Sequence, residues 1–150
     1  ILGTEYDFYA GYGFDVGAVS VDLNYTTYMY PSVPTGDNAG FDDVADVAIT
    51  VGYAPTDDLS FSVMYREGMG ESLKDDNYSY ATVGGSYKKI SALVGTHADD
   101  SGTYDSLTHL DVTYAYSDKL AFTLGKVIDE GESNWNDELK FIVKLELPIL

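Results

Sequence analysis

Hydrophobic and polar residues alternate with a period of two along most of the chain, the pattern of strands that have one apolar face. In residues 19–27, for example, Val19, Val21, Leu23 and Tyr25 share one face, and polar residues separate them. β-Branched and aromatic residues fill these stretches, as they do in half-buried strands. The pattern predicts an all-β protein without helices.

Nine alternating runs are recognisable, and turn residues separate them. The fifth and sixth runs are the weakest. Leu93 and Ile142 are apolar residues at positions that the alternation assigns to the polar face. The predicted strands lie at residues 5–14, 19–27, 45–53, 59–66, 78–87, 90–97, 109–116, 120–125 and 138–147.

Short and long connections alternate between these runs, which predicts a single domain over residues 1–150 built as an antiparallel up-and-down meander. One end of the sheet then carries tight hairpins and the other carries long loops. Pro31, Pro34 and Pro55 fall in predicted connections, where a missing N–H does no harm. The short connections are 15–18, 54–58, 88–89 and 117–119, and the long ones are 31–43, 67–77, 98–105 and 128–138.

Composition excludes several classes of protein. With 8 Lys and Arg against 25 Asp and Glu, the net charge is -17, the wrong sign for a nucleic-acid binder. The aromatic content of 14% is too high for a disordered polyanion. The absence of cysteine excludes a disulfide scaffold and a thiolate metal site.

The carboxylates concentrate in the long loops, which hold fifteen of the 25 and a single base, Lys74. Hard cations take oxygen ligands, but the segment 37–43 lacks the spacing of an EF-hand loop. Three interpretations stay open: specific Ca²⁺ sites, loosely bound Ca²⁺ or Mg²⁺ that bridges to lipopolysaccharide, and a solvated acidic rim. No other cofactor is predicted.

A meander with one apolar and one polar face fits either a soluble barrel around an apolar interior or an outer-membrane barrel with an apolar exterior. The polar face combines small residues with aspartates, which suits a narrow wet lumen. Tyrosines lie near the strand ends of the apolar face, where an aromatic girdle would lie. They are Tyr6, Tyr25, Tyr53, Tyr65, Tyr87 and Tyr116. These features favour a transmembrane β-barrel in the bacterial outer membrane.

The number of strands adds a further expectation. Outer-membrane barrels have an even number of strands and both termini on the periplasmic side. Nine strands that end at the short-turn side predict an odd number of further strands before Ile1. About three more would complete a twelve-strand barrel, of which this chain is the C-terminal part.

The first 31 residues contain specific sequence motifs. An acidic strand, Thr4-Glu5-Tyr6-Asp7-Phe8-Tyr9-Ala10-Gly11-Tyr12-Gly13, is followed by Val21-Asp22-Leu23-Asn24-Tyr25 and by Tyr28-Met29-Tyr30-Pro31 before a long loop. This arrangement resembles the TorF family of porins, without the N-terminal part of that family. The resemblance implies a Gram-negative outer-membrane barrel whose partners are outer-membrane lipid and lipopolysaccharide.

The charged residues of the polar face are the candidates for lining a lumen. Acids outnumber bases five to three among them, which predicts a weak preference for cations. The alternative is that opposite charges pair across strands and fill the lumen. The candidates are Glu5, Asp7, Asp22, Asp46, Arg66, Asp111, Lys140 and Lys144.

Neither an enzyme nor a metal protein is predicted. His97 and His109 are assigned to different strands, and no activated nucleophile or acid–base pair accompanies them. The leading hypothesis is a porin-like barrel for passive passage of small solutes. The alternatives are a structural or adhesive protein that assembles through strand edges into oligomers or filaments, and a soluble ligand-binding barrel. A homo-oligomer is compatible with the first two.

Overall fold

The structure, a computed structural model, describes residues 4–31, 40–100, 107–131 and 136–147. Nine antiparallel strands follow one another in a single sheet, and each pairs with the next in sequence. They are β1 (Tyr6–Val16), β2 (Val19–Met29), β3 (Val44–Thr56), β4 (Leu59–Gly68), β5 (Ser79–Tyr87), β6 (Ile90–Ala98), β7 (Thr108–Ser117), β8 (Leu120–Asp129) and β9 (Lys140–Leu145). The predicted meander is confirmed. The sheet is open, with β1 and β9 at its two edges.

Each of the four short connections is a two-residue turn, which confirms the prediction at residues 88–89 and is shorter than predicted for the other three. Strands β1 and β3 continue further toward the turns than the alternation indicated. Pro55 therefore lies inside β3, where the prediction placed it in a connection. It coincides with a shift of register between Tyr53 and Thr56, and a bulge tolerates a residue without an N–H. Gly17 and Lys88 open their turns with positive φ angles of 63° and 54°.

One turn of helix, α1 (Glu71–Asp75), interrupts the connection between β4 and β5, where the alternation predicted no helix. This connection folds back onto the start of β3, because Met69 N–H donates to the Ala45 carbonyl at 2.8 Å. Gly70 allows the close approach, since a Cβ there would lie 2.5 Å from the Asp43 carbonyl oxygen. Among the described residues, no helix is long and apolar enough to cross a membrane.

The ladder places the two sets of alternating residues on opposite faces, since residues directly opposite in antiparallel strands point the same way. Val21, Val51, Val63 and Val83 follow one another across β2 to β5 on the apolar face. Leu93 pairs with Gly84 and Asp111 on the polar face, as the irregular alternation of β6 indicated. Ile142 pairs with Thr123 on that same polar face.

Exposure differs between the faces in a way that reverses the arrangement of a soluble domain. In β4 the apolar-face residues Phe61, Val63 and Tyr65 are 50%, 54% and 47% exposed, and Ser62 and Met64, which lie between them on the polar face, are half-buried. The same inversion holds along most of β3 to β7, whereas β1 and β9 are exposed on both faces and β2 shows no inversion. Exposed large hydrophobic residues occur in every strand. In the described part of the chain, Ala45, Ala48 and Leu107 are the only buried hydrophobic residues. The sheet therefore has no apolar core of its own.

Candidate functional site: a polar belt across the sheet

The half-buried polar face carries a continuous row of charged and aromatic side chains, here called the polar belt. Some neighbouring members lie directly opposite each other in the ladder, as Asp7 does with Tyr28 and Arg66 with Tyr80, and others, such as Asp46 and Arg66, are offset by two residues. Strand β8 contributes Gly125, which lies between Asp111 and Lys140. The belt consists of Glu5, Asp7, Tyr28, Asp46, Arg66, Tyr80, His97, His109, Asp111, Gly125 and Lys140.

An ion pair stands at the centre of the first half of the belt. Arg66 Nη1 lies 3.4 Å from Asp46 Oδ2, and Tyr28 donates its hydroxyl hydrogen to the same oxygen at 2.9 Å. Arg66 Nη1 also donates to the Tyr28 hydroxyl at 3.4 Å. Because Tyr28 is on β2 and Arg66 on β4, this contact spans β3 and joins side chains of three neighbouring strands.

Asp46 is 2% exposed, which is unusual for a carboxylate in a sheet with so little burial. Its Oδ1 atom and the Arg66 Nε atom are buried without a hydrogen-bond partner among the described residues. A buried charge is costly unless it is paired. The ion pair with Arg66 therefore offsets most of the free-energy cost of burying the Asp46 carboxylate.

A hydrogen-bonded chain forms the second half of the belt. Tyr80 donates its hydroxyl hydrogen to His109 Nε2 at 2.8 Å, and His109 Nδ1 lies 3.1 Å from Asp111 Oδ2. In this chain the carboxylate accepts from Nδ1–H, which leaves Nε2 as the acceptor for the phenol. Asp111 thereby fixes the tautomer and the orientation of the imidazole.

Ring stacking joins His97 to this chain. The centroids of Tyr80 and His97 are 4.0 Å apart with an interplanar angle of 20°, and the Tyr78 hydroxyl lies 3.1 Å from His97 Nδ1. The contact between Tyr80 on β5 and His109 on β7 passes over Gly95 of β6. A Cβ on Gly95 would lie 2.5 Å from the Tyr80 hydroxyl oxygen, so a larger residue at this position would displace the ends of the side chains in the cluster.

The long-loop end of the belt is electronegative. Tyr30, just after β2, is partly buried, and this burial together with a hydrogen bond to Glu5 raises the pKa of its phenol above the usual value. Among the described residues, no ion pair joins Asp7 to a base.

Six of the eight predicted lumen residues lie in the belt, and two do not. Asp22 pairs with Gly13 and Thr50, and Lys144 pairs with Ala121, both nearer the short turns. All three predicted bases have a carboxylate partner: Arg66 as described, Lys140 with Glu138 at 3.6 Å and Lys144 with Glu146 at 2.6 Å. Of these three ion pairs, only Arg66–Asp46 joins two strands, which is the arrangement expected if opposite charges pair across strands and fill the lumen.

The sequence assigns the two histidines to different strands, but the structure brings their ring centroids to 6.0 Å. Tyr28 and Tyr80 were also missed as site residues. The alternation places all four on the polar face, so their face was predictable from the sequence. Their proximity depends on the strand register and on glycine at residue 95, neither of which the alternation specifies.

The described residues contain no group of three or more histidine and acidic side chains that could hold a metal ion. Three acidic residues of the predicted loop set, Asp37, Asp105 and Glu132, lie outside the described residues. Loosely bound Ca²⁺ or Mg²⁺ at the loops stays a prediction.

Comparison with known proteins adds no family. No family model matches the chain, and no curated protein is significantly similar to it. The resemblance of residues 4–31 to TorF porins stays a prediction.

Proposed function

We propose that the chain forms part of an outer-membrane β-barrel whose apolar face contacts lipid and whose polar belt lines a lumen for passive passage of small solutes. The observation that carries the proposal is the inverted exposure of the two faces. Leaving this much apolar surface in water costs about 25 cal/mol per Å². Lipid removes that cost over the whole face, whereas the polar face needs water or polar partners.

Two further features support the proposal. The outward aromatic residues near the short turns, such as Tyr53, Tyr87 and Tyr114, stand where membrane barrels carry an interfacial girdle. The sheet is open at β1 and β9, as part of a larger barrel would be. The motif resemblance of residues 4–31 points in the same direction.

The proposed selectivity is a weak preference for cations. The three bases that face the lumen are paired, while Glu5, Asp7 and Asp22 add negative charge on the side of β1 and β2. Carboxylates that line a pore favour cations. The lumen must be open for this preference to matter, and conductance in a planar bilayer tests that directly.

The absence of cysteine allows a sharp test of the two faces with single-cysteine variants. Val63→Cys places a thiol on the apolar face of β4, and Ser62→Cys places one on the polar face beside it. In the full protein in lipid vesicles, we expect a membrane-impermeant maleimide to label residue 62 and to spare residue 63. After solubilisation in denaturant, both thiols should react.

The opposite pattern, with residue 63 labelled and residue 62 protected, would overturn the proposal and favour a soluble barrel. Electrophoresis of the native protein, unheated and boiled, supplies an independent measurement, because closed membrane barrels migrate differently when boiled. Residues 62 and 63 are adjacent in the same strand and lie at the same depth, so a difference in labelling reports which face each side chain occupies.

The exposed edge strand β1 supports a second candidate, a structural protein that pairs through its edges. All eleven residues of β1 are exposed, and an unpaired edge is a template for another strand. Ordered assembly of the protein without detergent or lipid would favour this candidate.

A further inference from the structure

The short-turn end of the sheet has an uneven distribution of charge. The turns after β1 and β3 carry Gly17 and Ala18, then Asp57 and Asp58, without a base. The turns after β5 and β7 carry Lys88, Lys89 and Lys119, and β9 brings Lys144 to the same end. Half of the eight basic residues of the chain therefore meet in one region of a strongly acidic protein.

These four lysines line one depression of about 430 Å³. Its floor includes Ala115 and Ala121, which lie directly opposite each other on the polar face, and Ala121 in turn faces Lys144. Because alanine side chains are short, they leave this volume open between the lysines. The Lys89 ammonium group donates to the Tyr116 carbonyl at 3.0 Å, that of Lys144 pairs with Glu146, and that of Lys88 lies 5.3 Å from the centroid of the Tyr87 ring. The acids that line the depression are Asp118 and Glu146, so it has a surplus of positive charge.

Backbone hydrogen bonds hold the contributing turns together. The Lys88 N–H donates to the Asp58 carbonyl at 2.7 Å, and the Ala115 N–H donates to the Lys89 carbonyl at 2.8 Å. The Glu146 N–H donates to the Lys119 carbonyl at 2.9 Å, which attaches the end of β9 to the turn after β7. The ammonium groups thus extend from a fixed frame on three separate elements.

We propose that this depression is a binding site for a small anion with two or more charges, of the phosphate or polycarboxylate class. Lysine binds such groups as a point charge, and several ammonium groups from different elements can engage separate oxygens of one ligand. A monovalent anion would engage fewer of them and bind more weakly. The acidic loops at the opposite end would repel the same ligand, which makes the two ends electrically different.

The site is tested by titrating the full protein in a nonionic detergent with pyrophosphate, and with acetate for comparison, by isothermal calorimetry at low salt. We expect pyrophosphate to bind more tightly than acetate. The double substitution Lys119→Gln and Lys144→Gln should weaken pyrophosphate about tenfold. The matched control, Lys74→Gln with Lys126→Gln, removes the same charge elsewhere and should leave the affinity within about twofold.

Equal losses in both double variants, or no preference for pyrophosphate over acetate, would overturn the proposal. The charge reversal Lys119→Glu gives a second test and should abolish binding, with folding verified by circular dichroism. The binding assay needs no pore, so its outcome is separate from that of the proposed function. Only one consequence rests on the proposed function: in a planar bilayer, pyrophosphate should block current more strongly from the short-turn side.

Discussion

The two faces of the sheet are organised by different rules. On the apolar face, neighbouring residues are hydrophobic side chains that are similarly exposed, and one hydrophobic group can replace another. On the polar face, specific partners meet at defined distances, as Asp46 does with Arg66 and His109 with Tyr80. The apolar face is thus specified by composition and period, whereas the polar face is specified by geometry. Substitutions on the two faces should therefore differ in kind.

The largest effect is expected from a charge on the apolar face. Val63→Lys should destabilise the protein in lipid by about 2–4 kcal/mol, because lipid cannot solvate the ammonium group. Met64→Lys, one residue away on the polar face, is the matched control and should cost much less. Reversible urea unfolding from vesicles measures both. A harmless Val63→Lys would contradict the contact of this face with lipid.

The next largest effect should come from the buried carboxylate. Asp46→Asn keeps the shape of the side chain but leaves Arg66 without its counter-charge, which should cost about 2 kcal/mol because Arg66 is partly solvated. Adding Arg66→Met should recover part of the loss, and the double-mutant cycle isolates the coupling. Strictly additive losses would show that the two side chains do not stabilise each other.

A smaller effect is expected where the polar face requires a glycine. Gly95→Ala should cost about 1 kcal/mol, because the new methyl group displaces the ends of Tyr80 and His109, which can move. Gly84→Ala is the control, since its nearest neighbours lie at 3.3 Å. Chemical denaturation of both variants measures the difference, and histidine NMR signals should shift in the first alone. Unchanged histidine signals would argue against the stacked cluster.

The smallest effect on stability, and a clear one on selectivity, is expected from Asp22→Asn. Asp22 is exposed on the polar face, so its loss should change the free energy of unfolding by less than about 0.5 kcal/mol. The reversal potential in a salt gradient should move toward less cation preference. Asp57→Asn, at a short turn, is the control. A shift in the control as large as that in Asp22→Asn would assign the selectivity to overall charge.

The alternation of residues was sufficient to predict the nine strands and their faces. Period two is a local property, and each strand expresses it independently of its neighbours. The alternation also places the apolar residues Leu93 and Ile142 on the polar face, where they lie in the structure. The structure differs from the prediction at two local features. Pro55 lies inside β3 and not in a connection, and the helical turn Glu71–Asp75 lies in a connection where no helix is predicted. Pairing across strands decides those positions, and a single strand's pattern does not contain it.

The order of residues along the chain is enough to predict the all-β meander, the division into an apolar and a polar face, and the acidic long-loop end. The tertiary structure decided which polar residues meet. It joined Tyr28 to Arg66 across β3, stacked Tyr80 on His97, and gathered four lysines around Ala115 and Ala121. The physical reason is that these contacts depend on register and curvature, which arise only when all strands pair. Inter-strand hydrogen bonds set the register, and small residues such as Gly95 set how closely side chains approach.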